Sequence, residues 1–207
     1  FMPKWHHSKV GSAAHIHQSL FSGSENVFHA ADAPLTMSDT MKSYVAGLLK
    51  YSADVTFFLA PYVNSYKRFL PGTFAPTKVA WSIDNRTAGY RLVGDGTKGV
   101  RIECRIPGSD INPYLACAAQ LAAGLTGIEE GLSLSDPIQG DIYSMDHIPE
   151  IPSTLRAATE TLRNSSMLRA QMGDWVVDHY TRTAEVEQEE FDKVVTDWEV
   201  ARGFERA

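Results

Sequence analysis

The clearest pattern of apolar and polar positions runs from Val100 to Ile106, where Val100, Ile102, Cys104 and Ile106 alternate with Arg101, Glu103 and Arg105. Side chains of a strand point to opposite faces with period two, so this is a β-strand with one apolar face and one face reading cation, anion, cation. A similar period begins near Ala13 and puts His15, His17 and Ser19 on one face, with Ile16 and Leu20 on the other. Residues 79–91 are rich in β-prone side chains and Asn26-Val27-Phe28 offers a short strand. The run from Gly94 to Gly99, containing Lys98, forms a hairpin connection into the 100–106 strand.

Other stretches switch to a helical period. Met41, Tyr44, Val45, Leu48 and Leu49 make one stripe behind a cap at Ser38 or Asp39, and the helix is expected to run to about Leu59, before Pro61. Asn112 and Pro113 open another helix, with Tyr114, Leu121, Leu125, Ile128 and Leu132 at helical spacing and several alanines that allow close packing. Ser133 to Pro152 reads as a long surface loop, followed by helices from Ser153 or Thr154 to about Arg163, from Met167 to Tyr180 and from Glu185 to Arg202. Phe191, Val194, Val195 and Trp198 are expected to form one stripe in the last of these. The chain is therefore α+β. Residues 1–132 are β-rich with embedded helices, and residues 133–207 are a loop and an all-helical tail of the same domain.

Composition narrows the partners. With 207 residues, 43% of them hydrophobic, the chain can bury a substantial core. Its net charge of -6 gives no general attraction to nucleic acid or anionic membranes, and no apolar run is long enough to span a bilayer. Cys104 and Cys117 lack metal-site spacing and read as free buried thiols of a reducing, cytoplasmic compartment. The chain opens on Phe1-Met2-Pro3-Lys4-Trp5 without an initiator Met at position 1, as expected of a piece of something longer.

Candidate chemistry lies mainly in the front. A lone His-x-His more often marks exposed strand histidines than ligands, and Lys67-Arg68 alone reads as a solvated pair. Arg101, Glu103 and Arg105 alone would read as a solvated strand face with cross-strand ion pairs. The inventory changes that balance, because Arg68, Arg86, Arg91, Lys98, Arg101 and Arg105 accompany His15, His17 and Glu103. Imidazole and carboxylate ligate metals, and guanidinium forks match carboxylate and phosphate. The set suits a site that handles a nucleotide triphosphate, a metal and an anionic cosubstrate together.

Five blocks in order then resemble the glutamine synthetase family: His15-Ile16-His17-Gln18-Ser19, Asn64-Ser65-Tyr66-Lys67-Arg68, Asn85-Arg86-Thr87-Ala88, Arg101-Ile102-Glu103-Cys104-Arg105 and Asn112-Pro113-Tyr114-Leu115-Ala116. Val195-Thr196-Asp197-Trp198-Glu199 is similar to that family's C-terminal helix. The resemblance implies the C-terminal half of the catalytic domain, an antiparallel sheet flanked by helices, with the N-terminal β-grasp domain and the first-half metal carboxylates absent. It implies metal ligands at His15 and Glu103, glutamate contacts at Gly11, Arg68, Arg86 and Arg105, and ATP contacts at His17, Ser19, Arg86, Arg91, Lys98 and Arg101. Arg86 is the implied catalytic residue, near the transferred phosphoryl group. ATP with Mg2+ or Mn2+, L-glutamate, an amine or ammonia, and a ring-type homo-oligomer whose sites form between neighbouring subunits follow from the same resemblance. The reaction implied passes through γ-glutamyl phosphate.

Two positions depart from the family pattern. Val10 stands where an Asn usually precedes the glutamate-site Gly, and Phe74 stands where a Glu helps form the ammonium site. A phenyl ring cannot deprotonate ammonium but accommodates an apolar stem or a cation over its face, so Phe74 is the amine-site candidate. The motifs, including Gly108-Ser109-Asp110-Ile111, are most similar to γ-glutamylpolyamine and γ-glutamylethanolamide synthetases. Glutamine synthetase proper remains an alternative, as does an inactive fragment or oligomerisation module lacking half of the site. A guanidino-kinase-like phosphotransferase is disfavoured by the ordered blocks.

Overall fold

A computed structural model describes residues 1–206. Its strands are β1 (Ile16–Gln18), β2 (Phe21–Ser22), β3 (Glu25–Asn26), β4 (Trp81–Ile83), β5 (Tyr90–Val93) and β6 (Arg101–Cys104). The main sheet has the order β1-β6-β5-β4, and β2 pairs β3 in a separate hairpin. Its helices are α1 (Asp39–Lys50), α2 (Ser52–Leu59), α3 (Val63–Tyr66), α4 (Pro113–Glu129), α5 (Leu155–Asn164), α6 (Ser166–Met172), α7 (Asp174–Asp192) and α8 (Asp197–Glu205).

The alternation read at 100–106 holds: Val100, Ile102, Cys104 and Ile106 are all fully buried on the core side. The sheet is antiparallel where β1 meets β6 and β6 meets β5, and the expected fully antiparallel sheet fails only at β4, which runs parallel to β5. Parallel neighbours normally need a crossover of a dozen or more residues, yet only residues 84–89 join these two strands. The reversal is made locally. Asp84 adopts a left-handed φ of 45°, and the Asn85 carboxamide accepts from the Thr87 amide at 2.9 Å and its hydroxyl at 2.8 Å.

The long loop after α4 covers the free edge of β4. Ile138 N donates to Trp81 O at 3.0 Å, Val79 N to Pro149 O at 2.7 Å, and the Trp81 indole to Ser135 O at 2.8 Å. Backbone groups of an edge strand that would otherwise template foreign pairing are thereby satisfied.

Helices cover the sheet's inner face. The Tyr44 hydroxyl donates to Gln18 Oε1 at 2.7 Å and Gln18 Nε2 donates to Gln120 Oε1 at 3.1 Å, so β1 is tied to both α1 and α4. The stripe Met41, Tyr44, Val45 and Leu48 is buried as its spacing predicts. The single helix expected to reach Leu59 bends at Tyr51, where the Ser52 hydroxyl donates back to Leu48 O at 2.7 Å. In α4 the buried face is the small one, including Ala116, Ala119, Ala123, Gly124 and Gly127, while Tyr114 is exposed. Close approach explains the choice. A Cβ on Gly47 would meet the Ala123 carbonyl and lie 2.7 Å from Gly127 Cα, so α1 and α4 touch backbone to backbone.

The tail contributes Leu155, Ala158, Leu162, Leu168, Val177 and Ala184 to the same core. Its helices divide differently from the periodicity. A break falls at Gly173, with φ of 89°, and α7 runs unbroken through residues 181–184 because Thr181 and Ala184 are buried within it. The stripe expected of Phe191, Val194, Val195 and Trp198 does not form, since the chain leaves α7 at Lys193 and restarts after the Thr196 cap, with Val195 and Trp198 exposed. Cys104 is buried as expected, whereas Cys117 lies on the open face of α4 and is exposed. No helix among the described residues is long and apolar enough to cross a membrane.

Replacing Gly47 by Ala gains helix propensity of about 1 kcal/mol but forces apart two touching backbones, an overpacking cost of about 1–3 kcal/mol or more. Urea denaturation is expected to show a net loss of stability for Gly47→Ala. Gly203→Ala, at an open position of α8, should leave the midpoint unchanged or raised.

Candidate active site

Register builds the site. On the outer face of the sheet His17 on β1 pairs with Glu103 on β6, which pairs with Arg91 on β5, so three polar side chains form one row across three strands. His15 and Arg105 share that face two residues along their own chains. Glu103 is only 2% exposed. Its Oε1 accepts from Arg105 Nη1 at 3.0 Å and lies 3.0 Å from His15 Nδ1, and its Oε2 accepts from Arg91 Nη1 at 3.0 Å. The reading of this strand as a plain solvated face is therefore wrong.

The protonation states follow from these neighbours. Burial alone would push the Glu103 carboxyl up, but the Arg105 and Arg91 guanidinium groups together hold it below the ordinary carboxylate value. Burial, reinforced by Arg105, lowers His15 despite the attraction of Glu103, and burial likewise lowers His17. Both imidazoles are neutral at pH 7, so their approaches to Glu103, at 3.0 and 3.5 Å, are close polar contacts rather than ion pairs. Arg101 Nε donates to His17 Nδ1 at 3.2 Å, which puts the His17 proton on Nε2, 3.5 Å from Glu103 Oε1.

Two further arginines adjoin this network. Arg68 is 3% exposed and donates through Nη2 to the Ile106 carbonyl, and burial pushes its guanidinium down to about 10. Gly11 is needed beside it, because a Cβ there would lie 2.6 Å from Arg68 Cγ. Arg86 sits exposed at the tip of the 84–87 turn, and its carbonyl accepts from Arg105 Nε at 3.3 Å. Among the sequence candidates, hydrogen bonds join His15, Arg105, Glu103 and Arg91 into one group and Arg101 to His17, the two groups meeting where His17 Nε2 lies 3.5 Å from Glu103 Oε1, with Gly11, Arg68 and Arg86 at the border. Ser19 and Lys98 are exposed at the end of β1 and in the β5–β6 connection, and neither joins these hydrogen bonds. Phe74 also stands outside them, 58% exposed with a left-handed φ of 54°.

Sequence reading missed two acids. Asp84 accepts from Arg91 Nε at 2.9 Å, seven residues away through a turn whose path no spacing rule reveals. Asp110 accepts from the Ser65 hydroxyl at 2.5 Å and supplies the negative charge acting on Arg68. Nothing in the spacing of Gly108-Ser109-Asp110-Ile111 ties Asp110 to Ser65 or Arg68, which lie more than forty residues earlier in the chain.

The donor set accommodates part of a divalent cation's shell. His15 Nδ1 and Glu103 Oε1 are 3.0 Å apart, close to the edge of about 3.0 Å expected for an octahedron with bonds of about 2.1 Å. Neutral imidazole and ionised carboxylate are the forms a metal needs. Among the described residues no group of three or more His, Cys, Asp or Glu side chains is placed to hold a metal, so these two would supply only part of the coordination.

Residues 1–203 match the family described as glutamine synthetase, catalytic domain. The chain is 47% identical over 206 residues to the γ-glutamylethanolamide synthetase GlnA4 of Streptomyces coelicolor, covering 100% of this chain and 44% of that protein. It is 40% identical to the glutamine synthetase of Thermus thermophilus, covering 98% of this chain and 47% of that protein. A solved structure of a GmaS/ADP complex superposes with a TM-score of 0.90 at 29% identity, covering 99% of this chain and 49% of that one. The chain belongs to the glutamine synthetase family. It spans about half the length of the curated relatives it matches.

Because Arg105 is 4% exposed, Glu103→Ala leaves a buried cation without its counter-charge. Chemical denaturation is expected to show a loss of about 3–5 kcal/mol, whereas Lys98→Ala should leave stability within about 0.5 kcal/mol.

Proposed function

We propose that the whole protein is an ATP-dependent ligase that joins the γ-carboxylate of glutamate to an organic amine through a γ-glutamyl phosphate. The observation that carries this reading is the outer sheet face, where Glu103 and His15 adjoin each other among Arg68, Arg91 and Arg105. A divalent cation, Mg2+ or Mn2+, held in part by His15 and Glu103 would supply Lewis-acid stabilisation of phosphoryl charge. In this reading Arg91, Arg101 and His17 hold ATP phosphates, with Ser19 and Lys98 as outer ATP contacts. Arg68, Arg105 and Gly11 cradle glutamate, Gly11 by leaving room for the Arg68 stem. Arg86 meets both the glutamate and the transferring phosphoryl group, where guanidinium charge counts most in the transition state. The amine then displaces phosphate from the acyl carbon.

Phe74 supports an organic amine over ammonium. An aromatic ring exposed in a left-handed backbone conformation is costly, and by the family resemblance it stands in place of a Glu that would collect and deprotonate ammonium, whereas a phenyl ring accommodates an apolar stem or a cation over its face. The free thiols suit a cytoplasmic location. A ring-type homo-oligomer would bring a neighbouring subunit to this open face.

Steady-state kinetics of the whole protein with saturating ATP and glutamate are expected to give kcat/KM for ethanolamine or putrescine at least about tenfold above that for ammonium. A preference for ammonium would overturn the organic-amine reading in favour of glutamine synthetase proper. The 207-residue chain alone should release no amine-dependent phosphate above its Glu103→Ala control, because two metal donors do not complete a site.

A further inference from the structure

Away from the outer sheet face, α2, the start of α4 and α7 enclose a cavity of about 350 Å³. Phe57, Phe58 and Tyr180 form its aromatic wall. Phe57 and Phe58 pack edge to face at 5.3 Å between centroids, and Phe58 and Tyr180 do so at 5.5 Å. Leu115 and Val186 add aliphatic surface. The size falls in the range of about 300–1,000 Å³ typical of small-molecule pockets.

Charge gives the cavity a polarity. Among the described residues its charged lining is Asp110, Glu187 and Glu190, all acidic, with no Lys, Arg or His. Glu190 is already paired with Lys193 at 2.6 Å. Glu187 is half-buried and has no ion pair among the described residues. Asp110 receives one hydrogen bond, from Ser65, while its Oδ1 is shut off from solvent without a partner. A carboxylate taken partly out of water without a counter-ion is unfavourable, and aromatic faces attract cations. Anions are repelled here, and a neutral apolar molecule would leave the carboxylates unanswered.

We infer that this cavity is a binding site for a small amphipathic organic cation, an ammonium carried on an apolar stem, with the stem against Phe58, Tyr180 and Leu115 and the charge toward Glu187. The site lies on a different face from His15 and Glu103 and does not depend on the reaction proposed above. Asp110 links the two regions, since the same carboxylate acts on Arg68.

Titration calorimetry of the 207-residue chain with hexylammonium, hexanol and hexanoate tests the inference. Hexylammonium should bind with a sub-millimolar constant, hexanol about fivefold or more weaker, and hexanoate not measurably. Glu187→Gln, at a half-exposed helix position, should weaken hexylammonium about fivefold and leave hexanol unchanged. Thr183→Trp, which fills the cavity mouth from the exposed side of α7, should abolish both, while Phe74→Ala should change neither. Equal binding of hexylammonium and hexanol, insensitivity to Glu187→Gln, or loss of binding on Phe74→Ala would each overturn the assignment. The last outcome would place the amine at the proposed reaction site instead.

Discussion

The burial of one carboxylate fixes the arrangement of everything around it. Glu103 is 2% exposed on a strand whose opposite face is core, and removal from water is tolerable only because two guanidinium groups and two imidazoles close on it. Those partners come from three strands, so the register of the sheet and the charge state of the site are one constraint. A one-residue slip of β1 would carry His15 and His17 to the core side and bring Ile16 to the polar face. Gln18, on the inner side of β1, holds that register by donating to Gln120 on α4 and accepting from Tyr44 on α1.

How much of this was legible in the sequence depended on the range of the interaction responsible. The 100–106 strand, the β5–β6 connection, the Asn112 cap and the α1 stripe are local patterns, and all appear where spacing puts them. The row of His17, Glu103 and Arg91 joins positions 17, 103 and 91, so only ordered blocks with a family resemblance could associate them. The parallel join of β4 to β5 escaped because it rests on a left-handed Asp84 and an Asn85 turn, a three-dimensional reversal that resembles an ordinary bend in sequence. In the tail, Thr181 and Ala184 looked like a gap between helices because small and polar residues dilute an apolar stripe, yet both are buried at the α7 contact.

Size rather than hydrophobicity decides which face of α4 turns inward. Large apolar side chains recur at helical spacing along this helix, but the contact with α1 admits nothing beyond a glycine at Gly47 and Gly127. Van der Waals contact between backbones takes precedence over burial of Tyr114 and Leu121, which stay exposed. The inner helical layer is therefore thin and stiff beneath the sheet, a suitable support for side chains that must hold fixed positions on the other side.

The loop after α4 deserves to be seen as more than cover for an edge strand. Asn85 donates to the Gly140 carbonyl at 2.8 Å and the Thr87 hydroxyl accepts from Ile142 N at 3.2 Å, so the loop grips the turn on both sides of Arg86. Surface loops usually absorb insertions freely. Here a single added residue between Ile138 and Ile142 would shift the grip and move the arginine at the tip, so the length of this segment is under the same constraint as the identity of the residues it positions.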